Sequence, residues 1–168
     1  LLMLEAALDF EESDPTILYT QKSLQIDGPG MAPPYLYDIA LQKYLNQMPA
    51  IMMYLGHKHH LMPKDDYDKA LAYKITLDCN DVLMEITRYN GSKMWTKKEW
   101  KEFRYERFSN WLQIFESIST NGIDKSSGYT FGGKITVADI ALTALLGTIK
   151  HCLPELSEDL KEHAPKVS

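Results

Sequence analysis

The sequence predicts an α+β protein in two parts, an incomplete α/β domain at residues 1–57 and an all-α helical bundle at residues 64–168. Three observations carry this reading. Residues 1–60 mix a short helical pattern with extended stretches marked by proline and glycine. From Lys64 onward, apolar residues recur every three or four positions. Thr96–Glu99 and Thr136–Asp139 each place a threonine three residues before a carboxylate, the signature of a capped helix start.

Composition narrows the function classes. The chain has 168 residues, 45% of them hydrophobic and 24% charged, which suits a packed globular protein. Eighteen basic against 23 acidic residues leave a net charge of -5, the wrong sign for a fold that wraps nucleic acid or binds an anionic membrane through its overall charge. No nucleic-acid or membrane partner is therefore expected. Cys79 and Cys152 lie far apart and form no CxxC pair, so neither a disulfide scaffold, a zinc module nor a dithiol redox site is expected. No apolar run approaches the roughly 20 residues of a membrane-spanning helix.

The elements follow in order. Leu1–Leu8 reads as the tail of a helix that begins before the chain does. Ser13–Met31 reads as a long loop with a short strand at Thr16–Thr20. Ala32–Asp38 is extended, because a residue before proline is pushed out of the α region. Pro49 suits the first turn of a helix, Pro49–Leu55, with Gly56 as its stop and His57, His59 and His60 in a loop beyond. Tyr67, Leu71, Ile75, Cys79, Val82 and Ile86 form one stripe of a long helix that Asn90-Gly91-Ser92 ends.

After that helix, Trp95 and Trp100 flank the first capping box as a hydrophobic staple. Trp100, Phe103, Phe108, Trp111, Leu112, Phe115 and Ile118 supply a buried face up to Asn121-Gly122. Asp124–Gly128 is a polar loop. Ile135 and Ile140 staple the second box, and Val137–Cys152 is apolar nearly all round, the pattern of a central helix ended at Pro154. Glu155–Ser168 reads as one more amphipathic helix.

Three segments together resemble the glutathione S-transferase superfamily. Pro34-Tyr35-Leu36-Tyr37-Asp38 resembles the cis-proline turn and third strand of its thioredoxin-like domain. Leu45–Gly56 resembles its Gln-Ser-x-Ala-Ile…Tyr-Leu-Gly segment, and Gly133–Ile140 its capping box and staple. One such motif says little, whereas three in the family's order and at plausible spacing are specific. The resemblance implies a cytoplasmic homodimeric enzyme. It would bind glutathione as co-substrate on the thioredoxin-like domain, and present the thiolate to an electrophilic small molecule, with no protein-bound cofactor or metal. The helix after Met48, with Met52, Met53 and the aromatic helix, would supply the dimer seam.

The resemblance also implies site residues. Pro33 and Pro34 would lie along the cysteinyl part of glutathione, although Pro33 has no N–H to offer. Gln47 and Met48 would hold the γ-glutamyl carboxylate at a helix N-terminus. Met48 stands where the family has a hydroxyl. Arg88 and Tyr89 would touch the second substrate. Thr136 and Asp139 would be a structural capping box. The Tyr, Ser or Cys that activates the thiol would precede Leu1, so the catalytic residue is unassigned, and Tyr35 and Tyr37 lie in the wrong place to serve.

Other features read more plainly. The histidines are an exposed connection and not a metal set. Asp78, Asp81 and Glu85 form a solvated helix face. Both cysteines read as small buried hydrophobes. The rival functional reading is a non-catalytic glutathione-transferase-like module that binds other proteins, which Met48 and Pro33 favour.

Overall fold

The structure is a computed structural model that describes residues 1–13, 33–121 and 127–166. The chain divides into two compact units, Leu1–Leu61 and Met62–Ser168. The expected strand at Thr16–Thr20 and most of the loop at Asp124–Gly128 lie outside the described residues.

In the first unit, α1 is one turn, Leu2–Glu5, shorter than the Leu1–Leu8 expected. Ala7 adopts a φ of 50°, and the N–H groups of Ala7 and Leu8 donate to the carbonyls of Leu4 and Met3. That pair of bonds closes a helix and prevents its continuation. Strand β1, Tyr35–Asp38, falls inside the expected extended stretch. It pairs antiparallel with β2, Lys43–Asn46, in the register Tyr35↔Asn46 to Asp38↔Lys43. The sequence reading lacks β2, since four residues give too short an alternation to distinguish a strand from a loop.

Helix α2 runs Met48–Lys58 and packs on β2. Gly56 does not stop it: this glycine is a buried interior residue. The stop is one turn later, at His60, whose φ is 59°. Leu61 N–H donates to the Gly56 carbonyl at 2.8 Å and His60 N–H to that of His57 at 3.5 Å, the closing pattern that usually recruits glycine. His57 thus belongs to the helix and not to a loop.

The second unit is helical. Asp65 caps α3, Asp66–Ile86, accepting from the N–H groups of Tyr67 and Asp68. Its buried face is Ala72, Ile75, Thr76, Cys79, Val82 and Ile86. Tyr67, expected in that stripe, is 72% exposed because it sits in the first turn. The helix also ends before Asn90-Gly91-Ser92, at Ile86. Arg88, Tyr89, Asn90 and Gly91 then all take positive φ, 48°, 57°, 59° and 80°. Four successive residues in the left-handed region follow the helix, a conformation that L-residues adopt only at a cost.

The next helix is continuous but not uniform. It comprises α4, Lys97–Glu102, a π-helical stretch, Phe103–Phe108, and α5, Ser109–Asn121. Phe103 and Phe108 are five residues apart, a spacing that an α-helix splays to different sides. The wider π turn returns both to the core, with ring centroids 5.9 Å apart. Helix α6, Val137–Cys152, packs along α3, and α7, Pro154–His163, packs on α5 and α6. Pro154 opens α7 at a position proline favours.

Two expectations fail on α6. Its first six residues are enclosed, but Thr143, Ala144 and Thr148 are exposed, so the helix is two-faced. Cys152 at its end is exposed, whereas Cys79 is buried as expected. Of the residues named for a dimer seam, Met52, Phe103, Phe108, Trp111 and Phe115 are buried within the chain, and Met53 is half-buried.

Candidate functional site

The hairpin decides where the candidate site residues meet. Tyr35 pairs with Asn46 at one end of the β1–β2 ladder. The next residue outward on β1 is Pro34, and on β2 it is Gln47. Antiparallel register therefore brings Pro33, Pro34, Gln47 and Met48 to one end of one hairpin, although 12 residues separate Pro34 from Gln47. The Pro33–Pro34 peptide bond is cis, and both prolines are exposed.

Gln47 turns β2 directly into α2. Its φ of 71° with ψ of 115° is a conformation that costs a residue with a side chain about 1–3 kcal/mol and persists where the surroundings impose it. No side chain caps the helix it precedes. The backbone N–H groups of Met48 and Ala50 lie in the first turn, where no carbonyl of the helix can reach them, and Pro49 has none. Two N–H groups and the positive end of the helix dipole thus converge on the end of the hairpin where the prolines lie, an arrangement suited to a carboxylate.

A polar clamp fastens this geometry. The Asp38 carboxylate at the far end of β1 accepts hydrogen bonds from Tyr54 Oη at 2.5 Å, from Lys58 Nζ and from the Leu41 N–H at 3.1 Å. Lys58 first, then Tyr54 and Leu41, hold the Asp38 carboxyl well below the usual carboxylate range, and the same contact pushes the Lys58 ammonium up. Tyr54 and Lys58 are one turn apart on α2, so the clamp ties helix to strand. The sequence reading missed it. The available signal was the i, i+4 spacing of Tyr54 and Lys58 after an acidic strand end.

The second unit places the remaining candidates. Arg88 lies over the Trp95 ring, 4.5 Å from its centroid, donates to the Met94 carbonyl at 3.3 Å and pairs with Glu99 at 3.1 Å. Tyr89 beside it is 70% exposed. Thr96 and Glu99 form the expected capping box. The Glu99 carboxyl falls to about 2, held by the Thr96 hydroxyl and N–H and then by Arg88.

Thr136 and Asp139 form the second box, and it does more than cap. Asp139 Oδ2 accepts from the Thr136 N–H at 2.8 Å and hydroxyl at 2.7 Å, and its Oδ1 from the Thr130 N–H at 2.8 Å and hydroxyl at 2.6 Å. One carboxylate thus fixes both the start of α6 and the loop before it.

The three carboxylates of α3 do not act together. Asp78 pairs with Lys74 within the helix. Glu85 is not a solvated residue: it accepts three hydrogen bonds from Arg107 at 2.7–3.0 Å and one from Trp111 Nε1 at 3.3 Å. Among the described residues no three His, Cys, Asp or Glu side chains come together in a way that could hold a metal ion. Burial pushes the Cys79 thiol up to about 12, far from nucleophilic.

The family model for the C-terminal domain of glutathione S-transferase matches residues 71–168. That span takes in most of α3 and everything after it, including both capping boxes and the buried face of α6. It covers more than half of the chain, and with the helical unit just described it leaves one conclusion: the chain belongs to the glutathione S-transferase superfamily through its C-terminal domain.

Proposed function

We propose that this protein is a glutathione-binding transferase whose N-terminal unit is thioredoxin-like. In this reading Pro33, Pro34, Gln47 and Met48 hold the tripeptide and a thiolate of glutathione attacks an electrophilic small molecule. The observation that carries it is the hairpin register, which sets the exposed proline pair beside an uncapped helix start. The cysteinyl backbone would lie along the start of β1, and the γ-glutamyl carboxylate would accept from the N–H groups of the first turn of α2. Within this proposal Arg88 and Tyr89 would touch the second substrate, Arg88 held in place by Trp95, Met94 and Glu99 and Tyr89 exposed beside it. A cytoplasmic homodimer accompanies the reading, and sedimentation tests its association state.

Met48 supports a second reading, a non-catalytic module for protein contact. Methionine cannot replace the hydroxyl that the family places beside the carboxylate. The test separates the two. A hydrogen bond to a charged group contributes about 1.5–3 kcal/mol, so Met48→Ser should tighten glutathione binding by about tenfold or more in calorimetry. Saturable glutathione binding by the parent that tightens on Met48→Ser supports the transferase reading. No binding by either form would leave the interaction module as the function.

A further inference from the structure

The chain's acidity is not evenly spread. Between Arg88 and Arg107 seven basic residues meet three acidic ones, a local charge of +4 in a chain of -5, which leaves -9 on the rest. The arginines of this stretch are consumed internally: Arg88 by Trp95 and Glu99, Arg104 by Asp159 and Glu155, Arg107 by Glu85. The lysines are not. Lys93, Lys97, Lys98 and Lys101 are all exposed. Among the described residues Lys98 alone of the four has an ion pair, a long one to Glu102 at 3.6 Å. Glu99 is occupied by Thr96 and Arg88. Lys97 and Lys101 lie one turn apart on the same edge of α4.

Among these lysines stands Met94, 87% exposed. Its exposure is not that of a loose loop. The Met94 carbonyl accepts from Arg88, and the next residue, Trp95, donates its indole N–H to the Ile86 carbonyl at 2.8 Å. The Thr96–Glu99 box follows at once. The backbone is tied on both sides while the apolar side chain projects outward, so little conformational freedom remains to be lost on binding.

We infer that Lys93, Met94, Lys97, Lys98 and Lys101 form a docking surface for the anionic face of a phospholipid bilayer, with the methionine entering the headgroup region. Charge complementarity selects an anionic partner. The residue types select a membrane among anionic partners. Lysine is a hydrated point charge that suits a diffuse field of headgroups, whereas defined protein interfaces favour arginine and deplete lysine. Nucleic acid would call for free aromatic faces to stack on bases; Trp95 and Trp100 pack against each other and against Phe103, which leaves the exposed Tyr89 and Tyr105 as the rings of this stretch open to a base. Within a screening length of about 8–10 Å the acidity that counts against the patch is Glu102 beside Lys98 and Glu155 beside Trp100, and the four lysines outnumber it. Four lysines and one methionine make the attachment weak and reversible. A bilayer partner departs from the expectation of no membrane partner, which was drawn from the net charge, a quantity that averages over the whole surface.

The experiment is flotation of the full 168-residue chain with vesicles of phosphatidylcholine alone and of phosphatidylcholine with phosphatidylserine. Binding is expected only to the second, and it should fall as salt rises. Each lysine removed should weaken it about fivefold, so Lys97→Ser with Lys101→Ser should lose about 25-fold. Met94→Ser should weaken binding without changing its salt dependence. All these side chains are exposed, so unchanged thermal midpoints of the variants will confirm that folding is not the cause. Equal partition to both vesicle types, or none to either, overturns the inference. So does retention on polyglutamate or RNA in place of vesicles, since that identifies the surface as a site for an acidic protein or a nucleic acid.

Discussion

Arg104 and Asp159 meet as a forked ion pair across 55 residues of chain, Nε to Oδ2 at 2.7 Å and Nη2 to Oδ1 at 2.8 Å. The Asp159 side chain is 8% exposed and that of Arg104 16%. Arg104 also reaches the Glu155 carboxylate and carbonyl, each at 3.3 Å, and the Trp100 indole donates to the same carboxylate. The arginine sits in the π-helical stretch, so the widened turn that gathers Phe103 and Phe108 inward also fastens this helix to α7.

Arg104→Met should therefore be among the most damaging single changes in the second unit. It leaves a carboxylate enclosed without its counter-ion, which typically costs about 3–5 kcal/mol. Denaturant midpoints measure the loss. Adding Asp159→Leu should recover most of it, since a well-packed apolar pair can replace a buried ion pair. A double variant as unstable as the single one would show that packing, not charge, dominates at this position.

Asp139→Ala removes the acceptor of four hydrogen bonds, two from Thr136 and two from Thr130, which are 1% and 6% exposed. An exposed cap contributes about 1 kcal/mol. Here the freed N–H groups cannot turn to water, and a loss of about 3 kcal/mol or failure to fold is expected. Asp139→Asn, which keeps one acceptor oxygen, should lie between the parent and the alanine variant in a urea titration.

Glu99 carries a pH dependence of defined sign. Its carboxyl is lowered from the ordinary 4.5 to about 2 by the Thr96 cap and Arg88. The native state thus favours the ionised form. The resulting stability is fully present above the unfolded value near 4.5 and is lost as pH falls through about 2. Asp38 contributes with the same sign, its carboxyl held low by Lys58 and Tyr54. Thr96→Ala removes the largest cause at Glu99. The stability gap between parent and variant should accordingly narrow as pH is lowered from neutrality, and a gap independent of pH would show that the cap's value is not electrostatic.

The two thiols should separate cleanly in labelling. Cys152 is exposed and should react with a maleimide in the native protein. Cys79 is 1% exposed, and its thiol is pushed up to about 12 by burial. It should react only on unfolding, so its labelling rate measures the opening of α3 against α6. Equal rates for both thiols under native conditions would show that this core opens freely.

The sequence was most legible where local physical chemistry decides the outcome. Thr96–Glu99 and Thr136–Asp139 form boxes because a threonine and a carboxylate three residues apart satisfy a helix start wherever one begins. The apolar runs of α3 and α6 announce helices by their period. The register of Pro34 and Gln47 was not readable, although both residues were. Resemblance alone joined them in advance, and the pairing of β1 with β2 put them at one hairpin end.

What only the tertiary structure decided are the outcomes in which a distant group competes with a local preference. Gly56 is a good helix stop, yet α2 continues to Lys58, whose ammonium meets Asp38, and His60 takes the left-handed position instead. Glu85 reads as a solvated carboxylate until Arg107, 22 residues on, folds against it. Phe103 and Phe108 are out of phase for an α-helix, and the energy of burying both rings supports a π turn that no propensity scale favours. Cys152 ends an apolar helix but faces solvent, because beyond Leu142 only one side of α6 is covered. By itself the sequence determined which segments could form helices and where most of them begin, since hydrogen-bond closure and hydrophobic period act within a few residues. Where each helix ends, which charges are paired and which apolar groups remain outside were decided by tertiary structure, because burial and ion pairing depend on residues that the chain brings together only after it has folded.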